Sequence, residues 1–574
     1  MSLTTLVFPI LLASQVPPSD GFLVDLDDGM SDAEVTAFAR AFGLALRPNS
    51  EFSSRNRVYL AGQEAAALVQ RLRGDARVEA AEPNWILSIP EPELLDLSDE
   101  TDVPAPTDGK PKAYPDDPLY KSQWHMPMIH MDEAWARGKG KGAVVAVIDT
   151  GISDGKGKLP RVPDLEGTMF VPGYNFVADN AQPDDDHGHG THVAGTIAQR
   201  THNAFGVAGV APEASLMPLK VLTKQGWGTA ADIAEAIRWA ADHKANVINM
   251  SLGGGGYSEA MAKAVKYAHD QGVVVVCAAG NTGRGRVEFP AAYPGALAVS
   301  AVGPDGEKAW YSSFGKETFI AAPGGDTRVD LNGDGIADGV LQDTIAMGDP
   351  MRHGFFPFQG TSMATPHVAG AAALVVARGV TKPDAVAKVL ADSAEKRPDK
   401  LRFGNGLLSA GAAMKALDGR DEGRLLSVAG VLGLLAWAAR RRLGSARARL
   451  GLGGLVAAIV VGAGLTPLAG SGLPWAGTLS TPLLTWDGAL WGAPSALAMS
   501  VALPMVAALF LLGVGRLRGV LIGLAAGAAA LLLGDAFRGL SDVAGIPGMG
   551  LLDTLWLAVN GVLSLALAWL LSRR

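Results

Sequence analysis

The chain has 574 residues, 48% hydrophobic and 18% charged, with a net charge of −8 at pH 7. That length exceeds what one hydrophobic core serves and implies about three domains. The acidic balance excludes the basic face of a nucleic-acid binder, and a single cysteine, Cys277, excludes an intrachain disulfide.

Residues 1–19 read as a signal peptide, with an apolar run from Leu3 to Ala13 before Ser14-Gln15 and a proline-rich step. Residues 20–90 read as a small α+β unit. Phe22–Leu26 is strand-like, and Ser31-Asp32-Ala33-Glu34 has capping-box spacing ahead of the apolar-periodic run Val35–Leu44. A second strand at Arg57–Leu60, a helix over about 63–72 and the segment Val78–Asn84 complete it. Residues 91–114, rich in Pro, Asp, Glu and Thr, read as a solvated linker.

From 115 to about 420, β-branched runs alternate with helical patterns. Val144–Ile148, Ala245–Met250, Val273–Val276 and Ala298–Ser300 are near-continuous apolar strands. Strands buried on both faces read this way in parallel sheets, with helices as crossovers, so the expected fold is a doubly wound α/β body with a mostly parallel sheet. Beyond 424 the composition changes. Ten Arg and four Asp leave +6 on residues 425–574, so the rest of the chain carries −14. About five apolar spans are expected there, at 425–439, 450–468, 494–514, 519–534 and 551–571, forming an all-α transmembrane region.

Three islands carry the chemistry: Val147–Gly151, His189–Gly195 and Gly360–Pro366. They set one Asp, one His and one Ser among glycines and small residues, in the order Asp149, His189, Ser362. Taken singly, Asp149 is a turn residue after a strand and Ser362 an N-cap. Together they stand in one of the orders in which chains assemble a nucleophilic triad. These islands resemble the subtilisin-like (subtilase) serine peptidases.

The resemblance implies that His189 is the general base, Asp149 its orienting partner and Ser362 the nucleophile, with the Asn281 side chain as oxyanion donor. No cofactor is needed for that chemistry. His192 and His367 are then structural, His187 accessory, and the run Asp184–Asp186 a solvated stretch. Ser251-Leu252-Gly253 would pair with an extended protein or peptide substrate, and Ala278-Ala279-Gly280 would form the opposite wall of the primary pocket. Glu288, before Phe289-Pro290, stands where the family lines the pocket floor. A carboxylate there favours Lys or Arg at P1, unless Arg284 or Arg286 neutralises it.

By the same resemblance, residues 20–90 are an inhibitory propeptide, with the maturation site in the linker; a cut after Lys112 suits a basic preference. Asp330, Asn332, Asp334 and Asp338 follow the spacing of a calcium loop with Gly335 at position 6, although position 12 is Leu341. An Asx-rich turn is the alternative. In the tail, arginines fill the first and third gaps and the carboxyl terminus, which puts these in the cytoplasm and the peptidase outside, on a multi-pass membrane protein. The competing class is a catalytically silent peptide-binding membrane sensor or scaffold.

Overall fold

The computed structural model describes residues 19–62, 67–89, 114–347, 349–418, 429, 431, 451–463, 482–485, 497–511, 517–538 and 551–573. The signal-peptide expectation, apart from Ser19, lies outside these residues, as do the linker over 91–113 and nearly all of the 425–439 span.

The N-terminal unit runs β1 (Ser19–Leu26), α1 (Asp32–Phe42), β2 (Arg47–Pro48), α2 (Ser53–Asn56), β3 (Val58–Ala61), α3 (Val69–Arg73) and β4 (Val78–Ser88). The capping box forms as its spacing predicts: Ser31 Oγ accepts from Glu34 N, and the Glu34 carboxylate accepts from Ser31 N at 2.7 Å. Gly43 then ends α1 in the left-handed region at φ 68°. Side chains alternate along β1. Val24 and Leu26 bury against Phe38 and Leu72 in the unit's own core, while Leu23 joins a different core.

The central domain begins with α4 (His125–Met128) and α5 (Met131–Trp135), then β5 (Val144–Asp149), β6 (Met169–Phe170), β7 (Tyr174–Asn175) and α6 (His189–Ala198). It continues through β8 (Ser215–Lys220), β9 (Trp227–Thr229), α7 (Ala230–Asp242), β10 (Val247–Met250), α8 (Glu259–Asp270) and β11 (Val274–Ala278). After β12 (Ala296–Val302) and β13 (Thr318–Pro323) come the hairpin β14 (Val340–Ala346) and β15 (Asp349–Phe358), then α9 (Thr361–Ala377), α10 (Pro383–Ser393) and α11 (Lys400–Phe403). The main sheet has the order β13-β12-β11-β10-β5-β8-β6, and all its pairs are parallel. Along β5, Val145 and Val147 bury with α6 and α9, whereas Ala146 and Ile148 bury with α7 and α8. Both faces are covered, which is why these strands read as unbroken apolar runs.

The N-terminal sheet docks on this body. β4 pairs antiparallel with β9, setting Ile86 opposite Thr229 and Ser88 opposite Trp227. Glu82 reaches the amino end of α8, where its carboxylate accepts from Ser258 Oγ (2.6 Å), Glu259 N (2.8 Å) and Ala260 N (3.2 Å). Asn84 Oδ1 accepts from Ala231 N in the first turn of α7 at 3.0 Å. Each takes amides that an isolated helix leaves unpaired, and a carboxylate suits the positive end of the dipole.

In the tail, α12 (Gly451–Gly462), α13 (Ala502–Leu511), α14 (Arg518–Arg538) and α15 (Leu551–Arg573) fall on four of the expected spans. Two are long and apolar enough to cross a membrane, over Arg518–Ala536 and Thr554–Ser572. The helices meet through small residues: a Cβ on Gly523 would lie 2.0 Å from the Gly454 carbonyl oxygen. Ala525, Ala526, Ala529 and Ala530 are buried inside, whereas Leu509 and Phe510 are 75% and 80% exposed.

Glu82→Ala removes a helix cap supplied from another unit, a loss of about 1–2 kcal/mol. We expect faster hydrogen exchange of the β4 amides in the full-length chain, with the central sheet unaffected.

Candidate active site

Asp149 closes β5 and is fully buried. Its Oδ1 accepts from Thr150 N and lies 2.8 Å from His189 Nδ1. A carboxylate facing Nδ1 fixes the proton there, so His189 Nε2 carries a lone pair. That Nε2 has no hydrogen-bond partner. His189 is the first residue of α6, after Gly188 at φ 106°. The two elements touch closely: a Cβ on Gly190 would sit 2.2 Å from the Gly151 carbonyl oxygen.

Ser362 lies in the first turn of α9, where amides have no intrahelical acceptor. Its hydroxyl donates to the Ser251 carbonyl at 3.1 Å rather than to His189. Rotation about the Ser362 χ1 bond is the adjustment a Ser–His hydrogen bond needs, and such bonds are often unformed before substrate binds. Asn281 Oδ1 accepts from Thr361 N (2.9 Å) and Thr361 Oγ1 (2.8 Å). Those donors settle the amide's orientation and leave Nδ2 as its outward group. Ile89, His189, Asn281, Phe358, Gln359, Ser362 and Met363 line one small pocket.

Ser251 and Leu252 are buried at the end of β10, and Ser251 Oγ donates to the Ser362 carbonyl at 2.7 Å. Glu288 reaches between the walls: a Cβ on Gly280 would lie 2.5 Å from its Cδ, and one on Gly253 3.4 Å from its Oε2. Burial raises the Glu288 pKa, and a Thr282 hydrogen bond with the charges of Arg286 and Arg284 opposes that. The end of β4 occupies the cleft. Ser88 N–H donates to Gly253 O and Gly253 N–H to Ser88 O, both at 3.0 Å, and Ile89 N–H donates to Gly226 O at 2.8 Å.

Comparison with known proteins agrees with this geometry. Residues 140–407 match the model of the Subtilase family. The thermostable alkaline protease of Halalkalibacterium halodurans is 39% identical over 292 residues, covering 50% of this chain and 73% of that protein. Thermitase of Thermoactinomyces vulgaris is 38% identical over 266 residues, 46% of this chain and 86% of thermitase. The chain belongs to the subtilase family. Among solved structures, fervidolysin of Fervidobacterium pennivorans, a keratinolytic enzyme related to subtilisin, superposes with a TM-score of 0.56 at 26% identity, covering 70% of this chain and 62% of its own. This subtilase is a subtilisin-like serine endopeptidase with the α/β fold of its relatives.

Other polar groups take structural places. His192 Nε2 donates to Val340 O at 2.8 Å and its ring stacks on Phe358, with burial pushing its pKa down to about 3. His367 Nδ1 donates to Met363 O, and its Nε2 faces His125 Nδ1 at 2.8 Å. Cys277 is buried within β11. One expectation needs correcting: the run Asp184–Asp186 is not merely solvated. Asp185 is fully buried and accepts from His187 N, Gly188 N and Thr191 N, each at 2.9 Å, and from Thr191 Oγ1. Burial works to raise its pKa, but Lys220 and these donors hold it below the ordinary range. It thus caps the helix that begins with His189, a role hidden in sequence by its two acidic neighbours.

The loop from Asp330 to Asp338 closes by Asx turns. Asp330 accepts from Gly333 N, Asp334 N and Gly335 N, and Asn332 and Asp334 accept from amides two residues on. Leu341, at position 12, is buried in β14 and supplies no ligand. Burial, then the charges of Asp330, Asp334 and Asp326, raise the Asp338 pKa. Among the described residues no three acid, histidine or cysteine side chains are grouped as a metal ion requires.

Asp185→Ala leaves the buried amides of Gly188 and Thr191 unpaired at the foot of α6, at about 1–3 kcal/mol for each unsatisfied group. We expect a lower thermal midpoint and slower turnover, with Asp185→Asn intermediate in both.

Proposed function

We propose that this endopeptidase works through Ser362, His189 and Asp149, as a precursor inhibited by its own N-terminal unit and anchored in a membrane with the peptidase domain outside the cytoplasm. The observation that carries the reading is the Asp149–His189 hydrogen bond, which leaves His189 Nε2 unpartnered beside Ser362 and Asn281. In the first step Ser362 Oγ bonds to the substrate carbonyl carbon while its proton passes to His189 Nε2. The carbonyl oxygen becomes an oxyanion, held by Asn281 Nδ2 and Ser362 N–H. Protonated His189, stabilised by Asp149, gives its proton to the leaving nitrogen and the peptide C–N bond breaks. Water, deprotonated by His189, then attacks the acyl-enzyme and frees the acid product and Ser362.

Substrate would enter as an extended strand along Ser251–Gly253, the place that Ser88 takes here. Glu288 supports a preference for Lys or Arg at P1, because a half-buried carboxylate that makes no direct ion pair, with Arg286 and Arg284 acting on it only through their charges, gains from a cationic partner. Lys110 and Lys112 lie in the linker, and cleavage after Lys112 would release the N-terminal unit.

For the tail, alongside the two long apolar helices there is a broad exposed apolar surface that a water-soluble bundle would hide, with Leu509, Phe510, Leu555, Val559 and Val562 outside. Lipid is the partner this surface suits. The arginine pattern supports an outward peptidase and a cytoplasmic carboxyl terminus.

The test is the intact mass of the full-length chain in detergent over time, beside Ser362→Ala. Loss of an N-terminal fragment from the unmutated chain alone supports a self-processing enzyme; two stable chains, with no fluorophosphonate labelling of Ser362, leave a silent peptide-binding scaffold. Removing the equivalent oxyanion donor from subtilisin lowers turnover about 10²–10³-fold, and we expect Asn281→Ala to do the same. Glu288→Gln is expected to cut kcat/KM for Lys and Arg at P1 by about tenfold or more, the scale of a charge-assisted hydrogen bond, and to leave apolar P1 substrates little changed. Equal losses for both classes would reject the basic preference.

A further inference from the structure

The outer face of β1 carries a residue that neither the fold nor the reaction explains. Leu23 on this face buries in the core shared with α7 and α8. Asp25, two residues on and so on the same face, is 1% exposed, and neither carboxylate oxygen has a hydrogen-bond partner. The charged groups around it come from every neighbouring element: Arg238 of α7, Lys263 of α8, Glu79 of β4 and Asp28 of the turn after β1. Both cations are committed elsewhere. Arg238 Nη1 pairs with Asp28 Oδ2 at 3.1 Å, and Lys263 Nζ meets Glu79 Oε2 at 3.2 Å and Glu79 O at 2.7 Å. An ionised Asp25 therefore has no donor where it lies, whereas a protonated one is an ordinary buried polar group.

A second acid faces the same seam. Glu235 of α7 is fully buried, and its carboxylate is met by Asn49 Nδ2 (2.8 Å) and Ser53 Oγ (3.3 Å), both from the N-terminal unit. Its neighbour Asp232 also accepts from Asn49 Nδ2, at 3.1 Å. Opening the seam returns Asp25 and Glu235 to water together.

We propose that the seam between the N-terminal sheet and helices α7 and α8 is a proton-sensitive latch, shut while Asp25 carries a proton and loosened when that carboxyl ionises. Burial pushes the Asp25 pKa up to about 7, with Arg238 the largest opposing influence, and pushes that of Glu235 up to about 7 as well. In the opened state Asp25 returns towards the ordinary value of about 3.9. A group whose pKa is raised in the closed state binds its proton there, so closure is favoured fully at acid pH. The advantage falls as pH rises from about 4 to about 7 and is gone above that. The inhibitor is thus held in acid and released towards neutral and alkaline pH, which rests on the reading of residues 20–90 as an inhibitor.

The test is hydrogen exchange of the β4 and β9 amides in the full-length Ser362→Ala chain in detergent, from pH 5.5 to 8.5, corrected for the intrinsic pH dependence of exchange. Linkage through Asp25 alone predicts about a 30-fold loss of protection over that range. Asp25→Asn, which cannot ionise, should be better protected than its parent at pH 8.5 and lose that share of the pH dependence. Asp25→Ser serves if Asn is not accommodated, and adding Glu235→Gln should flatten the profile further. Protection that stays constant from pH 5.5 to 8.5, or neutral variants with the parent's slope, overturns the latch. Exchange is read here without turnover, so a flat profile refutes the latch alone, and the mass experiment separately decides the inhibitor reading.

Discussion

Everything in the cleft depends on one buried contact, Asp149 against His189. The two residues come from elements joined by forty residues of chain, and their side chains meet with almost no access to water. In such a medium a carboxylate–imidazole hydrogen bond is worth more than at a surface, and it sets the tautomer of His189 without competition. The contact requires β5 and α6 to approach nearly backbone to backbone. That is why no side chain is tolerated at Gly190, whose Cβ would meet the Gly151 carbonyl, while Gly151 itself, at φ 105°, is held by the Pro183 and Asp184 carbonyls of the loop that precedes α6. Asp185 serves the same contact from below, since the helix that presents His189 is capped by a group that must itself stay ionised in the interior.

A cleft that binds extended peptides is an unfilled gap between strand edges, with the hazards of any exposed edge. Gly226 and Gly253 offer carbonyl and amide groups on the two sides of this gap, and in this chain β4 and Ile89 fill it. The groups that would read a substrate backbone are therefore satisfied before any substrate arrives. On the proposed reading, inhibition and recognition would share one set of hydrogen bonds, so a tighter inhibitor and a better substrate path would be built from the same atoms.

Sequence reading singled out Asp149, His189 and Ser362 because glycines and small residues flag each island, and it reached the parallel sheet because strands covered on both faces lose the polar alternation. The expectation that Ser251–Gly253 and Ala278–Gly280 wall the substrate cleft, with Glu288 at its floor, rests on the family resemblance. Groups that act across the fold were illegible. Nothing near Glu82 or Asn84 announces that they cap helices far along the chain, and Asp185 is masked by two neighbours of the same type. Asp25 shows the limit best. In a strand that alternates Leu23, Val24, Asp25 and Leu26, an acid reads as the solvent-facing position, and only the docking of α7 and α8 over that face makes it buried.

The seam is also built so that it can open without unravelling what it covers. Glu82 and Asn84 cap α8 and α7 from outside, yet each helix keeps a cap of its own. Ser258 accepts from Met261 N on α8, and Thr229 accepts from Asp232 N on α7. Departure of the N-terminal unit removes the second layer and leaves the first. The external caps therefore contribute to affinity more than to the integrity of the helices. On the proposed reading, that division would let the N-terminal unit's hold be tuned through buried acids at the seam, while the sheet and helices that position Asp149, His189 and Ser362 stay as they are.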